Sequence, residues 1–305
     1  MRYFFPFFLL LLLKNILPSI ASADLLETYI FSVGQGSFVL MKHGSQCLVV
    51  DIGSGIMGKN PLQQYTSKME KKGRIYRKLE SIGIKDLECM LLVTHNHSDH
   101  FCLFPQFKEM TAKAVNVPGN FYGRRPSLAP DFWRSFSKQI TPIPIDGTHL
   151  GEDINICCLL PTRNARKDHE KNLIVFVKYE NVLFILPGDA DSDYLELNAK
   201  AFVNELKNQA IDCSHCCIVL PHHGSNGALA LPLSAQRILS ENGCSETIFI
   251  ISSDPEERDH LPRSAVLVLL PDTPETVEHS YSYSYYHNGR KNLKKKQKKL
   301  LPLYL

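Results

Sequence analysis

The sequence predicts a single domain of the α+β class, and three features of its 305 residues support this. Apolar β-rich segments and amphipathic helical segments are mixed, and several strands follow each other without a helix between them. No internal repeat and no linker divides the chain. Polar residues recur where the predicted strands end, so any chemistry is expected at one edge of the sheets.

The predicted elements run in order along the chain. Strands are predicted at 28–33, 37–41, 46–50, 89–93, 154–160, 173–179, 182–186, 217–220 and 248–251, and helices at 61–82, 105–113 and 193–209. The Gly-Gln-Gly sequence at 34–36 predicts a hairpin turn between the first two strands, and the Gly-, Pro- and Arg-rich segment 118–130 predicts a loop.

Composition and charge exclude several classes of protein. The chain is 44% hydrophobic and 21% charged, which is typical of a globular domain and excludes a mainly disordered, collagen-like or coiled-coil protein. The net charge is +3, but seven basic residues and no acidic residue lie between Arg290 and Lys299. Removing these seven leaves −4 for the rest of the chain. That balance argues against a broad nucleic-acid-binding face but allows a narrow site.

The N-terminus has the pattern of a secretory signal peptide over residues 1–23. Arg2 precedes an apolar run at 3–13, and Ala21-Ser22-Ala23 is a cleavage pattern. The run is short for a membrane span, so an uncleaved anchor is the less favoured alternative. No later segment is apolar enough to span a membrane, so we expect an exported protein, periplasmic or extracellular, without a spanning helix after cleavage.

Nine cysteines in an exported chain raise the question of disulfides, and the odd number leaves at least one thiol unpaired. Most of them, Cys47 among them, lie in apolar runs, which favours buried small side chains. The Cys213-Ser-His-Cys216 spacing would suit a redox or zinc pair, but a single such pair is weak evidence.

The strongest chemical signal is the segment Thr94-His-Asn-His-Ser-Asp-His100, directly after a predicted buried strand. Imidazole and carboxylate are ligands suited to Zn²⁺, Mn²⁺ or Fe²⁺. The spacing can direct His95 and His97 to one ion and Asp99 and His100 to a second, roughly 3.5–4 Å away. The alternative is a solvated polar loop with chance histidines.

Other polar residues near strand ends are candidates as well. Asp189 follows an apolar strand, where a metal or a helix N-terminus would be its partner. His222 and His223 are adjacent, and since neighbours point apart on an extended chain, one is expected to bind metal and the other to act near it. His260 is either a proton donor or phosphate contact at the rim of the site, or a surface histidine.

The His-x-His-x-Asp-His motif after a buried strand resembles the metallo-β-lactamase superfamily. Asp51 matches the first acidic motif, Asp189 the carboxylate that bridges two metals, and His222-His223 the last histidine motif. The resemblance covers residues 28–287. It implies a four-layer αββα sandwich over 24–288, with 289–305 as a basic tail. It also implies hydrolysis by a hydroxide bridging two divalent ions, Zn²⁺ first and Mn²⁺ or Fe²⁺ as alternatives.

More narrowly, the chain resembles the soluble hydrolase domain of ComEC-type DNA-uptake proteins. The shared features are Val-Gly-Gln-Gly at 33–36, a strand pair running without gaps into Gly-Asp at 173–189, Pro-His-His-Gly-Ser at 221–225 and a later element at 259–262. Ser37 departs from the usual Asp, and Phe-Cys-Leu at 101–103 is bulkier than usual. The channel's membrane segments are not found, so a role in DNA uptake does not carry over.

The resemblance also assigns roles to single residues. Asp51 is expected to orient a ligand rather than to bind metal itself. His223 is favoured as the ligand over His222 by analogy with other His-Gly endings. His169 falls where the superfamily has its third histidine motif and where the narrower group commonly has Asn. It is therefore either a ligand of the first ion or a residue of a polar surface loop.

These observations predict an exported metal-dependent hydrolase, first a phosphodiesterase or nuclease, in which Asp99 helps to orient the attacking hydroxide. The alternatives are hydrolysis of another ester, such as a phosphorylcholine ester or a lactone, and a non-catalytic module that binds nucleic acid or the cell envelope. The substrate is expected to be a small-molecule or nucleic-acid phosphodiester. The segment Arg290–Lys299 is expected to contact an anionic polymer or a membrane surface.

Overall fold

The structure is a computed structural model. It describes residues 26–53 except 32, 34 and 35; 78–111 except 96, 105, 106, 108 and 109; 115–116; 148–150; 154–225 except 163, 167 and 168; 230–250; and the short segments 285–287, 290–292 and 303–304.

The first sheet is built mainly from the N-terminal part of the chain. Its strands are β1 (Glu27–Ile30), β2 (Phe38–His43), β3 (Gln46–Ile52), β4 (Glu88–Leu92) and β5 (Val115–Asn116). β1, β2 and β3 form antiparallel pairs, whereas β3, β4 and β5 are parallel. β1 and β2 are antiparallel neighbours, as the predicted hairpin requires, although residues 34 and 35 of its turn lie outside the described part of the chain.

The second sheet is continuous in sequence and mixed in direction. Its strands are β6 (Thr148–Leu150), β7 (Ile154–Leu159), β8 (Ile174–Tyr179), β9 (Val182–Leu186), β10 (His215–Val219) and β11 (Glu246–Ile250), arranged in the order β11-β10-β9-β8-β7-β6. β6 to β9 are antiparallel neighbours, and β9, β10 and β11 are parallel. The carboxyl ends of β9 and β10 therefore lie at one edge.

Three further strand segments lie near the C-terminus. β12 (Tyr285–His287) and β13 (Arg290–Asn292) form an antiparallel pair, and β14 (Leu303–Tyr304) pairs with β1 at the edge of the first sheet. The last residues of the predicted basic tail thus contribute one short strand to the first sheet.

Two long helices pack on the outer face of the second sheet. Helix α1 (Ser192–Gln209) begins after Asp191, whose carboxylate accepts hydrogen bonds from the backbone N–H of Asp193 and Tyr194. Its buried residues recur every four positions, so they form one face: Tyr194, Asn198, Phe202 and Leu206. Helix α2 (Ala230–Glu241) lies beside it.

Shorter helical pieces lie beside the sheets and near their ends. Residues 78–82 are helical, as are 104, 107 and 110. Single 3₁₀ turns occur at Ile84–Asp86, Ser98–His100, His169–Lys171 and Pro221–Gly224. Of the residues described, none belongs to a helix with the length and apolarity that crossing a membrane requires.

Buried side chains divide into three layers, and this confirms the predicted αββα sandwich. The central layer joins the two sheets, with Val39 and Val50 of the first in one cluster with Val175 and Phe184 of the second. A second cluster covers the outer face of the first sheet and includes Leu79 and Phe107 from the helical pieces. The third joins the second sheet to α1 and α2.

Most predicted elements are confirmed within a few residues. Helix α2 and the short strands β5 and β6 were not predicted. Pro232 lies in the first turn of α2, where proline is tolerated because the N–H groups there have no intrahelical partner. In the sequence, a proline argues against a helix, so the segment that contains Pro232 was not predicted to be helical.

Cys47 is buried, as expected, and the pairing that the sequence left open is with Cys89, its register partner across the parallel strands β3 and β4. None of the other seven cysteines forms a disulfide, so Cys213 and Cys216 are not bridged.

Several expectations concern residues outside the described part of the chain. These are the signal peptide at 1–23, the first part of the helix at 61–82, the loop at 118–130, His260, and most of the basic segment between Arg290 and Lys299.

Candidate metal centre

The predicted site residues meet where four strands of the two sheets end. Asp51 lies near the end of β3, and the 94–100 segment follows β4. Asp189 follows β9, and the turn Pro221–Gly224 follows β10. β3 is parallel to β4, and β9 to β10, so each pair brings its carboxyl ends together. Residues far apart in sequence thereby converge at one end of the sandwich.

Asp189 is the centre of the cluster. Its Oδ1 lies 3.1 Å from His100 Nε2 and 3.5 Å from His223 Nε2, and its Oδ2 lies 3.5 Å from His95 Nε2. All four side chains are at least 96% buried. A carboxylate removed from water in this way requires cationic or hydrogen-bonding partners, and three imidazoles supply them.

Within the described ranges, the donor atoms form two groups of three. One group is His95, His100 and Asp189, and the other is Asp99, His100 and His223; within each group the donor atoms lie within 4.8 Å of one another. His223 Nε2 is 3.6 Å from Asp99 Oδ2. His100 belongs to both groups and so lies between them.

This grouping differs from the expected assignment of His95 and His97 to one ion. The rings of His95 and His97 lie 4.5 Å apart, edge to face, but His97 belongs to neither group. The 3₁₀ turn Ser98–His100 brings His100 close to both His95 and Asp189, which a reading based on spacing alone does not predict.

The His222–His223 pair adopts an unexpected backbone. Both residues have positive φ, 49° and 53°, so the chain is not extended there. As a result both rings approach Asp189, His223 on Oδ1 and His222 on Oδ2 at 4.0 Å. His223 is buried, whereas the His222 side chain is 32% exposed. The geometry thus separates an inner histidine from one at the rim.

Asp51 contacts His100 from the side opposite to Asp189. Its Oδ2 lies 2.7 Å from His100 Nδ1 and accepts a 2.9 Å hydrogen bond from the Thr94 hydroxyl, while its Oδ1 accepts one from the Thr94 backbone N–H. A proton held on Nδ1 by this carboxylate leaves Nε2 with a lone pair directed at the cluster. Asp51 therefore orients His100.

Asn172 fixes the loop that carries Asp189. It is fully buried, its Oδ1 accepts from the Asp189 backbone N–H, and its Nδ2 donates to the carbonyls of Leu173 and Pro187. A Cβ on Gly188 would lie 2.5 Å from Asn172 Oδ1 and 2.5 Å from Thr94 Oγ1. Only glycine fits between these two side chains, and its φ of 55° favours glycine as well.

Gly53 allows the 98–100 turn to pack against β3. A Cβ at this position would lie 1.5 Å from the Asp99 carbonyl oxygen and 2.4 Å from the His100 nitrogen. The same turn is held by a hydrogen bond from the Ser37 N–H to the Asp99 carbonyl. The backbone that presents Asp99 and His100 is therefore fixed by direct contact with two neighbouring strands.

Backbone strain concentrates at the site. Among the residues that the structure describes, five non-glycine residues have positive φ, and three of them are Asp51, His222 and His223. Such conformations cost roughly 1–2 kcal/mol each and persist where surrounding structure imposes them. The clustering of these residues around one carboxylate indicates a functional site.

Burial and neighbouring charges shift the pKa values of the clustered groups. Burial lowers the pKa of His95 to about 4, and the nearby His100 acts in the same direction. Burial alone would lower the pKa of His100, but Asp189 and Asp51 hold it well above its usual value. Burial would raise the pKa of Asp99, but His223, whose Nε2 lies 3.6 Å from Asp99 Oδ2, and the charge of His100 lower it to about 2. The surroundings therefore favour a positive charge on His100 and a negative charge on Asp99, but a neutral His95.

The donor set fits divalent transition metals. In the described part of the chain, His100 Nε2, His223 Nε2 and Asp189 Oδ1 are buried and make no hydrogen bond. Asp189 Oδ1 nevertheless lies 3.1 Å from His100 Nε2 and 3.5 Å from His223 Nε2. Buried polar atoms are normally hydrogen-bonded, so atoms converging without such bonds indicate a bound cation. Nitrogen and carboxylate donors suit Zn²⁺, Mn²⁺ or Fe²⁺.

For two candidate residues, His169 and His260, the structure does not describe the side chain. The backbone of His169 lies in the 3₁₀ turn before β8, but its side chain is outside the described part, as is all of His260. Two residues without a predicted role contribute: Thr94 and Asn172. Asn172 directly precedes the apolar segment 173–179, but this position alone does not distinguish it from a surface amide.

Solved structures similar in fold belong to metallo-β-lactamase fold proteins. The metallo-β-lactamase fold protein YhfI from Bacillus subtilis is 14% identical, with a TM-score of 0.46, and the match covers 84% of this chain and 97% of that one. A diphosphatase from the PhnP family is 12% identical, with a TM-score of 0.48 and coverage of 84% and 95%.

The short form of human tRNase Z is 9% identical, with a TM-score of 0.38 and coverage of 73% of this chain and 91% of that one. No protein-family model matches the sequence, and no curated protein matches it. At these identities and TM-scores the likeness carries no conclusion about activity.

Proposed function

We propose that the protein is a metal-dependent hydrolase with two divalent transition-metal ions, and that its substrates are phosphodiesters. The observation that carries the proposal is the convergence of His95, His100, His223 and Asp99 on the buried carboxylate of Asp189. A site that only stabilised the fold would close all positions with Cys or His, whereas this one includes two carboxylates and, at its rim, a histidine whose side chain is 32% exposed.

Each side chain has a defined part in the proposed site. Asp189 contacts His95 through Oδ2 and both His100 and His223 through Oδ1, and it is the proposed bridging ligand. His95 and His97 are proposed for the first ion, and His100 and His223 for the second, with Asp51 holding the ring of His100. When bound, the ions would supply a nucleophile at neutral pH and stabilise the charge of the transition state.

Asp99 and His222 are proposed to act on the reacting groups. The Asp99 side chain is 14% exposed, more than those of Asp189, His95 and His223, and its low pKa keeps it ionised. It can therefore accept a proton or a hydrogen bond from water in the site. The partly exposed ring of His222 lies at the opening, where it can contact the substrate or its leaving group. His260 is proposed for the same rim.

The substrate class and the location rest on the sequence. The resemblance to ComEC-type hydrolase domains favours phosphodiesters, including those of nucleic acids. The predicted signal peptide at 1–23 favours an exported protein, and the basic segment between Arg290 and Lys299 favours polyanions. Hydrolysis of a lactone or another ester by the same centre is the alternative.

A three-substrate comparison tests this proposal. Purified protein, supplied with Zn²⁺ or Mn²⁺, is assayed on bis(p-nitrophenyl) phosphate, a simple lactone and a β-lactam. We expect turnover of the phosphodiester, which is abolished by a chelator and restored by metal. Turnover of the lactone alone would favour the alternative, hydrolysis of another ester. The absence of metal-dependent turnover of all three substrates would contradict the proposal of a metal-dependent hydrolase.

His169 is proposed as a further ligand of the first ion. Its 3₁₀ turn ends one residue before Asn172, which contacts the Asp189 loop, so the backbone passes near the centre. His169→Ala is expected to lower metal content from two ions to about one and to reduce turnover strongly. Unchanged metal content and rate would show that another residue or water fills this position.

A further inference from the structure

We propose that Thr94 is a positioning residue whose hydroxyl connects the ring of His95 to the carboxylate of Asp51. In this arrangement one carboxylate holds two proposed metal ligands, His100 by direct contact and His95 through the hydroxyl of Thr94. The inference rests on the proposed metal-dependent hydrolase and adds to it the residue that directs a ligand of the first ion.

The Thr94 hydroxyl lies where three side chains meet. Its Oγ1 is 2.9 Å from Asp51 Oδ2, 3.2 Å from His95 Nδ1 and 3.2 Å from His100 Nδ1. The centroids of the two histidine rings are 4.1 Å apart. Thr94 is 3% exposed, and the three residues around its hydroxyl are buried as well. Buried polar atoms normally have hydrogen-bond partners inside the protein, so these four groups have to satisfy one another.

The number of protons available assigns a direction to each hydrogen bond. An ionised carboxylate can only accept, so the single hydroxyl proton of Thr94 goes to Asp51 Oδ2. His100 Nδ1 is closer to that carboxylate oxygen, at 2.7 Å, than to the Thr94 hydroxyl, so its proton goes to the carboxylate as well. The Thr94 oxygen is then the acceptor for a proton on His95 Nδ1.

This pattern places the same tautomer on both rings. A proton on Nδ1 leaves the lone pair of a neutral imidazole on Nε2. In both rings Nε2 is the atom near Asp189: His95 Nε2 is 3.5 Å from Oδ2, and His100 Nε2 is 3.1 Å from Oδ1. Thr94 therefore selects the form of His95 that can bind an ion beside Asp189, as Asp51 does for His100.

The Thr94 side chain is held in one direction by both sheets. Its backbone N–H donates to Asp51 Oδ1 at 2.7 Å, and its carbonyl accepts a 2.8 Å hydrogen bond from the Leu173 N–H, directly before β8. A Cβ on Gly188 would lie 2.5 Å from Thr94 Oγ1 and 2.6 Å from Thr94 Cβ. A β-branched side chain packed this closely has few rotamers available, so its hydroxyl keeps a fixed direction.

Thr94→Val and Thr94→Ser separate the hydroxyl from the shape of the side chain. The full-length protein is labelled with ¹⁵N-histidine, and its ring N–H signals are recorded by NMR with and without Zn²⁺; His95→Ala assigns the His95 signals. We expect exchange-protected Nδ1–H signals from His95 and His100 in the wild type and in Thr94→Ser. In Thr94→Val the His95 Nδ1–H signal is expected to be lost, while that of His100 remains. An unchanged His95 signal in Thr94→Val would overturn the proposal.

Zinc affinity gives a second readout. Against a competing chelator, we expect Thr94→Val to bind Zn²⁺ about 10–100-fold more weakly than the wild type, and Thr94→Ser to recover most of that loss. Thr247→Val, at the amino end of β11, is the control for the loss of a hydroxyl. Equal weakening in Thr94→Ser and Thr94→Val would also overturn the proposal. A wild-type protein that takes up no Zn²⁺ would contradict the proposed hydrolase, and the His95 signal of the metal-free protein would still decide on Thr94.

Discussion

Asp51 Oδ2 and His100 Nδ1 lie 2.7 Å apart in a fully buried contact, and this contact sets the direction of the His100 ring. The same carboxylate oxygen accepts the hydroxyl proton of Thr94, so three residues from two adjacent strands form one unit. The unit explains why Asp51 is retained in a strained backbone conformation with a φ of 55°. His100, a proposed metal ligand, is thus oriented by Asp51, which is not itself proposed to bind the ion.

Asp51→Asn tests this orientation. The amide keeps the size of the side chain but cannot hold a proton on His100 Nδ1 through a charge. We expect metal affinity to fall by about 10–100-fold with the fold retained. Titration with Zn²⁺ against a competing chelator measures the affinity, and Asp86→Asn on an exposed 3₁₀ turn is the control. Equal affinities in both variants would show that Asp51 has no such role.

The site residues that could be predicted from the sequence are those that stand out within a short stretch of the chain. The 94–100 segment combines its histidines and Asp99 within one turn, and Asp189 ends an apolar strand, so both are visible without knowing the fold. The order of strands and helices predicted a single α+β domain, and the resemblance alone implied the layered sandwich. Which donor atoms meet depends on the 3₁₀ turn and on contacts across the sandwich, and spacing alone does not show that His100 lies close to both His95 and Asp189.

What the sequence did not reveal depends on long-range contacts. Asn172 hydrogen-bonds to the backbone of Pro187 and Asp189, which are fifteen and seventeen residues further along the chain. No local pattern in the sequence distinguishes it from a surface amide. The Cys47–Cys89 pairing depends on two strands being neighbours, and cysteine spacing does not encode it. The left-handed backbone of His222 and His223 is imposed by the turn, whereas an extended chain was the natural expectation.

Gly188→Ala tests whether the Asp189 loop depends on close packing. The new methyl group would meet Asn172 and Thr94 at 2.5 Å, so we expect loss of metal binding and of hydrolysis. Gly243→Ala is the matched control: Gly243 also has a positive φ, 96°, but has nothing within 4 Å. Both variants are expected to lose about 1–2 kcal/mol of stability in urea unfolding. If both retained full activity, packing at Gly188 would be irrelevant to the site.

His95→Ala and Asp189→Ala test the central ligands. Removal of either side chain is expected to abolish hydrolysis rather than merely slow it, because each is a proposed direct ligand. His215→Ala provides a control on the same sheet, since its ring is 46% exposed and pairs with Glu246 at the opposite end of β10. Circular dichroism confirms that each variant is folded. Full activity of His95→Ala would contradict the proposed site.

The basic segment is expected to attract polyanions without contributing to turnover. Because Leu303–Tyr304 pairs with β1, replacement of Lys294, Lys295, Lys296, Lys298 and Lys299 by Gln is a better test than deletion. We expect weaker binding to single-stranded DNA, a smaller dependence on salt, and unchanged turnover of a small phosphodiester. A comparable loss of small-substrate turnover would place the segment at the catalytic site.

Elemental analysis of active protein tests the metal centre most directly. Wild-type protein that hydrolyses bis(p-nitrophenyl) phosphate is dialysed and measured for Zn, Mn and Fe beside Asp189→Ala. The geometry around Asp189 predicts about two ions per chain in the wild type and a marked loss in the variant. Active wild-type protein without a stoichiometric metal, or a variant with the same metal content as the wild type, would contradict a metal centre at this carboxylate.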